Sequence, residues 1–106
     1  MITFLIDYVV GNTYKTKRVN AENVKQALKR ARLSRSVVDV QAEAVFNTGS
    51  DSIMYGHNGQ TVKVLREVPR EELIEPESVP EQTRVWEVSF PNGLRVCAFA
   101  DELKAV

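Results

Sequence analysis

The sequence predicts an α+β domain in which a mainly antiparallel sheet, built from three β-hairpins, carries one main helix on one face. Several short segments alternate between apolar and polar residues, a two-residue repeat that is typical of a strand with one solvent-exposed face. Glycine-containing turns separate these segments, and one stretch shows the spacing of an amphipathic helix. The expected order is β-β-α-β-β-β-loop-β-β, and 106 residues fit a single domain spanning residues 1–106.

The first hairpin is expected from residues 2–19. Residues 2–10 are rich in β-branched and aromatic side chains, and both faces of this strand are at least partly apolar, which predicts a central position in the sheet. Residues 11–13 ("GNT") are a turn signal. Residues 14–19 ("YKTKRV") alternate again and supply the second strand of the pair.

The predicted helix begins after Asn20, whose side chain suits the N-cap position, and it ends near Leu33–Ser36. Glu22 adds a negative charge at the positive end of the helix dipole. One apolar stripe at helical spacing is expected to face the sheet. Its members are Val24, Ala27, Leu28 and Ala31.

The remaining strands are expected between residues 37 and 99. Residues 37–46 alternate almost without interruption and predict a strand with one wet face. A second hairpin is expected around residues 57–59 ("HNG") and a third around residues 91–93 ("PNG"), because each turn ends in a glycine that tolerates a positive φ. Residues 101–106 are expected to form a single helical turn capped by Asp101.

An acidic segment, residues 67–84, separates the second and third predicted hairpins. It holds six acids against two arginines, together with three of the four prolines of the chain. A connection of this length is uncommon inside a compact domain unless it is functional or disordered. We therefore expect a surface loop or linker within the domain, with Pro69 placed to start a short helix.

Charge is strongly segregated along a chain that has no net charge. Residues 15–35 hold eight Lys or Arg against one acid. Residues 1–36 carry a net charge of +6 and residues 37–106 a net charge of −6. Such asymmetry indicates a charged partner for one half or for both. The residues expected to bind nucleic acid or an acidic partner are Lys15, Lys17, Arg18, Lys25, Lys29, Arg32 and Arg35.

Binding to a protein partner is the favoured function. The acidic segment would face a basic surface by electrostatic complementarity, in the manner of small bacteriophage inhibitors or accessory proteins that occupy a partner's surface. Trp86 follows the segment and is expected either in the core beside Val88 and Phe90 or as an interface anchor. The residues expected to contact a protein partner are Glu67, Glu71, Glu72, Glu75, Glu77 and Trp86.

Nucleic-acid binding is the alternative function. Lysines and arginines on the second strand and on the helix would contact phosphates, with an affinity that falls as salt rises. Tyr14, next to Lys15, is the one aromatic candidate for stacking on a base. The sequence contains no helix-turn-helix, zinc-finger or RNA-binding motif that would support this alternative.

Two further explanations of the charge pattern stay open. The acidic segment would neutralise the basic helix within the chain if it folded back over that helix. A homodimer would neutralise the charge between two copies, with the basic face of one against the acidic face of the other. Such head-to-tail contacts must form a closed assembly, because they would otherwise continue into a filament. Both explanations compete with an external partner for the same surfaces.

The sequence predicts no catalytic, metal-binding or cofactor-binding site. His57 lies at a turn, and Cys97 lies in a strand where a buried structural role is expected. There is no glycine-rich phosphate loop, nucleophile elbow or calcium-loop spacing. Asp7 interrupts the apolar start of the chain, which therefore lacks the pattern of a signal peptide. A cytoplasmic protein that does not enter a membrane is expected.

Overall fold

The computed structural model describes residues 1–33 and 36–106, and it shows a small α+β fold with one helix and a seven-stranded antiparallel sheet. The predicted fold class is confirmed. The elements are β1 (Ile2–Val10), β2 (Thr13–Ala21), α1 (Val24–Ala31), β3 (Val37–Phe46), β4 (Thr61–Glu67), β5 (Val85–Ser89), β6 (Arg95–Phe99) and β7 (Leu103–Lys104).

The strands lie in the order β2-β1-β3-β4-β5-β6, and all neighbours in this order run antiparallel. β1 pairs with β2 along its whole length and with β3 on its other side, so its predicted central position is confirmed. The short β7 also pairs with β3, with Lys104 opposite Val45. β2 and β6 are therefore the two edge strands of this path.

The core lies between α1 and one face of the sheet, which we call the inner face. Alternation along β1 turns Ile2, Phe4 and Ile6 to this face, and all three are buried. α1 packs beside β2 and adds the buried Ala27 and Ala31 to the same hydrophobic cluster. Further buried members come from the other strands and the turns that follow them: Ala44, Phe46, Val62, Val64, Trp86, Val88, Phe90, Ala98 and Leu103.

Two of the three predicted hairpins form. β1–β2 turns at Gly11 and β5–β6 turns at Gly93, and these glycines have φ angles of 61° and 90°. The second predicted hairpin is wrong. Tyr55–His57 form a 3₁₀ turn in place of the expected strand, and Ile53 is almost fully exposed. β3 and β4 pair with each other across a long loop, residues 47–60.

Side-chain hydrogen bonds of one asparagine explain this long loop. The Asn58 Oδ1 accepts from the N–H of Thr48 at 3.0 Å. The Asn58 Nδ2 donates to the carbonyl of Thr48 at 3.0 Å and to the side chain of Asn47 at 3.1 Å. Polar groups at the start of the loop therefore find partners inside the loop, while main-chain bonds from Gly59 to Phe46 and from Asn47 to Glu102 fix its two ends.

α1 starts later and ends earlier than the sequence predicts. Asn23 is the N-cap, and its Oδ1 accepts from the N–H of Gln26 at 2.8 Å. Asn20, the predicted cap, belongs to β2, where its side chain accepts from the hydroxyl of Thr3 at 3.0 Å. Arg32 ends the helix in the left-handed conformation, with φ at 58°. The eight helical residues amount to about two turns.

Helical structure outside α1 consists of short 3₁₀ turns. The predicted helical turn near the end of the chain is a 3₁₀ turn, Ala100–Glu102, which β7 follows directly. The acidic segment contains two more, Arg70–Glu72 and Pro76–Ser78, and the first begins after Pro69 as expected. Among the described residues, no helix is long and apolar enough to cross a membrane.

Candidate binding surfaces

Four of the predicted basic contact residues are exposed and make no ion pair with another described residue. Lys15 lies on β2, Lys25 and Lys29 lie on α1, and Arg32 follows α1. The ion pairs found among the described residues all lie elsewhere, around β4 and the acidic segment. We call these four cations the basic surface. Arg35, which the sequence also predicts, lies outside the described residues.

Lys17 and Arg18 have partners within the chain. The ammonium of Lys17 donates to the main-chain oxygen of Ala31, the last residue of α1, at 3.1 Å. The guanidinium of Arg18 donates to the main-chain oxygen of Val106 at 3.1 Å. In the register with β1, Lys17 lies on the inner face and Arg18 on the opposite, outer face. The predicted basic residues are thus divided between two faces of the sheet.

The acidic segment balances part of its charge with Arg66, which directly precedes it, and with Arg84, its last residue. Glu72 accepts from Arg66 at 3.0 Å, and Glu67 accepts from Arg84 at 3.0 Å. The hydrogen bond from Arg66 to Glu72, and then the charge of that carboxylate, raise the pKa of the guanidinium. In the described part of the chain, no ion pair joins the segment to α1. Neutralisation of the basic helix within one chain therefore has no support from ion pairs.

Arg70 closes the middle of the acidic segment into a loop. Its guanidinium donates to the main-chain oxygens of Pro76, Val79 and Pro80, at 2.5, 2.7 and 3.3 Å. A guanidinium suits such a set of acceptors because its five N–H groups point in fixed directions. This network gives the segment a defined shape at the surface, which we call the Arg70 loop (residues 70–80).

Ile74 is the most exposed apolar residue of the Arg70 loop. Its side chain is 98% exposed, whereas the neighbouring Leu73 is half-buried. The carboxylates of Glu71, Glu75 and Glu77 around it are exposed as well. Ile74 is not among the predicted contact residues, because the charges of the segment dominate its composition. The available signal was an apolar pair, Leu73-Ile74, inside an otherwise acidic run.

A groove of about 830 Å³ opens on the inner face between the start of α1 and the strands β4 and β5. We call it the Trp86 groove. The groove exists because α1 packs beside β2 and leaves the middle of the sheet uncovered. Its apolar residues from the strands are Phe4, Val40, Ala42, Val64 and Trp86. Its charged residues are the cations Lys25, Lys63, Arg66 and Arg84 and the carboxylates Glu43 and Glu67.

Trp86 is only 4% exposed and packs in the core, one of the two positions that the sequence leaves open for it. Its indole Nε1–H is the one buried side-chain polar group among the described residues that has no hydrogen-bond partner. A buried donor without an acceptor costs about 1–3 kcal/mol. The core beside the groove therefore contains an unsatisfied donor.

Among the described residues, those with catalytic potential are not grouped in one place. The ring of His57 packs against Phe90, with 4.9 Å between the ring centroids. Cys97 is exposed on β6, so the expected buried position is wrong. Alternation explains the error, because the next residue, Ala98, occupies the inner face opposite Trp86. Within residues 1–33 and 36–106, no group of three or more His, Cys, Asp or Glu is placed to hold a metal ion.

Three surfaces are thus available for binding: the basic surface, the Arg70 loop and the Trp86 groove. The acidic segment that carries the loop borders the groove, because Glu67 and Arg84, at the two ends of the segment, line it. No protein-family model, curated protein or solved structure matches the chain, so its function is inferred from these surfaces.

Proposed function

We propose that the chain is a non-enzymatic protein-binding module that presents Ile74 to an apolar pocket on a partner protein. The observation that carries this proposal is the 98% exposure of Ile74 on a loop whose shape is held by hydrogen bonds from Arg70. Binding surfaces concentrate their affinity in a few anchor residues that enter pockets of the partner. Ile74 is such an anchor.

The Arg70 loop is suited to binding because its shape is set before the partner arrives. Association costs free energy when a flexible segment must be ordered, and a pre-shaped loop avoids much of that cost. Burial of one isoleucine side chain contributes about 1.5–3 kcal/mol, which corresponds to about a ten- to hundredfold gain in affinity. An inhibitor or accessory protein would act in this way by occupying the surface of its partner.

The charges around Ile74 indicate the character of the partner surface. Glu71, Glu75 and Glu77 are exposed and form no ion pair with a described residue, in contrast to Glu67 and Glu72. A pocket with cations around its rim would complement them. Such rim charges chiefly raise the association rate and are screened by salt.

The test compares proteins captured by tagged wild-type chain, Ile74→Ser and Ile53→Ser after nuclease treatment. Ile53 is a matched control because it is also 98% exposed but lies in the loop 47–60. We expect a partner that wild type and Ile53→Ser retain and that Ile74→Ser loses. Capture of the same proteins by all three chains would contradict the proposal.

Nucleic-acid binding is the second candidate function, and the free cations of the basic surface favour it. Lys15, Lys25, Lys29 and Arg32 have no acidic partner among the described residues, so they are available to phosphates. Tyr14 is 74% exposed on β2 next to Lys15, where a base could stack on its ring. None of these residues belongs to the Arg70 loop, so substitution of Ile74 and substitution of the basic surface test different residues.

Fluorescence anisotropy of labelled DNA and RNA tests this second candidate. Binding should weaken log-linearly with salt, and Lys25→Glu, Lys29→Glu and Arg32→Glu combined should abolish it. The matched control combines Lys63→Glu, Arg95→Glu and Lys104→Glu, three exposed cations elsewhere that give the same change in net charge. Absence of binding at low salt, or equal losses from both triple variants, would count against a nucleic-acid surface on β2 and α1.

A further inference from the structure

We infer that the partner of the Arg70 loop is a second copy of this chain, whose Trp86 groove receives Ile74. The inference rests on the proposed role of Ile74 as a binding anchor and names what the anchor enters. The chain carries both halves of the contact, an exposed apolar side chain and a groove whose accessible apolar residues include Val24, Val40 and Ala42. The volume of the groove, about 830 Å³, is within the range of ligand-binding clefts and is ample for one isoleucine.

The charge of the loop complements one cation of the groove. Of the four cations that line the groove, Arg66 and Arg84 are ion-paired to glutamates of the same chain, and Lys63 lies on the outer face opposite Glu43. Lys25 is therefore the cation that the groove offers to a partner. The loop brings three glutamates that have no ion-pair partner among the described residues, Glu71, Glu75 and Glu77. Lys25 stands at the first turn of α1, on the side of the groove away from the acidic segment. It would meet these carboxylates from the partner copy.

The loop does not occupy the groove of its own chain. Ile74 is 98% exposed, although Glu67 and Arg84, at the ends of the same segment, line that groove. A loop that lies outside the groove of its own chain is free to enter the groove of a second copy, and a two-fold axis makes this exchange mutual. Each copy then gives one loop and receives one, and the assembly closes as a dimer rather than growing into a filament.

Two single substitutions test the loop and the groove independently. Ile74→Glu removes the anchor at a fully exposed position. Val24→Glu places a carboxylate in the groove lining at the first residue of α1, where the first turn has no acidic residue and a negative charge suits the helix dipole. Both variants should therefore fold. Ile53→Glu is the matched control for Ile74→Glu, because Ile53 is equally exposed outside the acidic segment.

Sedimentation velocity of the purified full chain over a wide concentration range measures the dimer dissociation constant. We expect wild type and Ile53→Glu to dimerise equally, and each of Ile74→Glu and Val24→Glu to raise the dissociation constant by about ten- to hundredfold. An equimolar mixture of the two weakened variants should associate more tightly than either alone. The intact loop of Val24→Glu can enter the intact groove of Ile74→Glu, so one of the two contacts is restored.

A wild-type chain that stays monomeric up to about 1 mM at low salt, a concentration at which even weak specific pairs associate, would overturn the inference. So would a mixture that associates no better than its components, because the contact would then not join loop to groove. The proposed binding role is judged separately. A monomeric chain whose captured partner is lost with Ile74→Ser keeps that role while losing self-association.

Discussion

The ammonium of Lys17 lies 3.1 Å from the main-chain oxygen of Ala31, which ties β2 to the last turn of α1. The last carbonyl groups of a helix have no donor within the helix, and a cation placed there also interacts favourably with the helix dipole. Lys17 therefore contributes to the fold. Lys15, two residues earlier on the same face of the strand, has no comparable partner among the described residues.

Lys17→Met should lower the free energy of unfolding by about 1 kcal/mol, because the bond to a helix terminus and the favourable charge are both lost. Lys15→Met is the matched control and should change stability by less than about 0.5 kcal/mol, as exposed substitutions usually do. Urea denaturation followed by circular dichroism measures both. Equal effects of the two substitutions would show that the contact with Ala31 does not stabilise the protein.

Arg70→Lys should loosen the Arg70 loop while keeping its charge. A lysine ammonium lacks the planar fork that reaches several carbonyls at once. Amide hydrogen exchange in residues 70–80 should become about tenfold faster, which corresponds to about 1.4 kcal/mol of lost local stability. Arg95→Lys, on the exposed edge strand β6, is the control. Unchanged exchange in the loop would mean that the hydrogen bonds of Arg70 do not hold it.

Trp86→Ala and Trp86→Phe should differ greatly in stability. Trp86→Ala should cost about 3–5 kcal/mol, because it leaves a large cavity in the core. Trp86→Phe keeps most of the apolar ring and removes a buried donor that has no acceptor, a gain of about 1–3 kcal/mol that offsets the lost packing. The free energy of unfolding of Trp86→Phe, measured in urea, should lie within about 1.5 kcal/mol of the wild-type value. Similar losses for both would show that the indole N–H has a partner in solution.

Gly93→Ala should destabilise the β5–β6 hairpin by about 1–2 kcal/mol, because φ at Gly93 is 90° and an L-residue is strained there. Gly56→Ala is the control. Its added Cβ meets nothing within 4 Å and its φ is not positive. That variant should be neutral or slightly more stable in thermal unfolding. A Gly93→Ala variant as stable as wild type would mean that the turn changes its conformation at little cost.

The sequence pattern was sufficient to locate β1, which is rich in β-branched and aromatic residues, and β3, which alternates between apolar and polar residues. The predicted bounds of residues 2–10 and 37–46 coincide with β1 and β3. The turns at Gly11 and Gly93 were predictable from the glycines themselves. A positive φ is required only of that one residue, so no distant contact decides whether the turn forms. Features decided by a few neighbouring residues were thus predictable.

Features decided by distant partners were not predictable. Asn20 and Asn23 are equally good caps in isolation, and the pairing of Asn20 with Thr3, seventeen residues away, assigns it to β2. Asn58 changes an expected hairpin into a loop through bonds to residues ten and eleven positions earlier. The Trp86 groove joins α1 with β1, β3, β4 and β5, so it exists only after the sheet has assembled. No local pattern encodes it.

The position of Cys97 has a practical consequence for every measurement that needs a reporter group. It is the single cysteine of the chain, it is exposed, and it lies on the outer face, whereas its neighbour Ala98 faces inward opposite Trp86. A maleimide dye or a nitroxide attached to this thiol would modify one site and leave the groove on the other face uncovered. Spin labels on two copies would then report their separation directly, without a substitution anywhere in the chain.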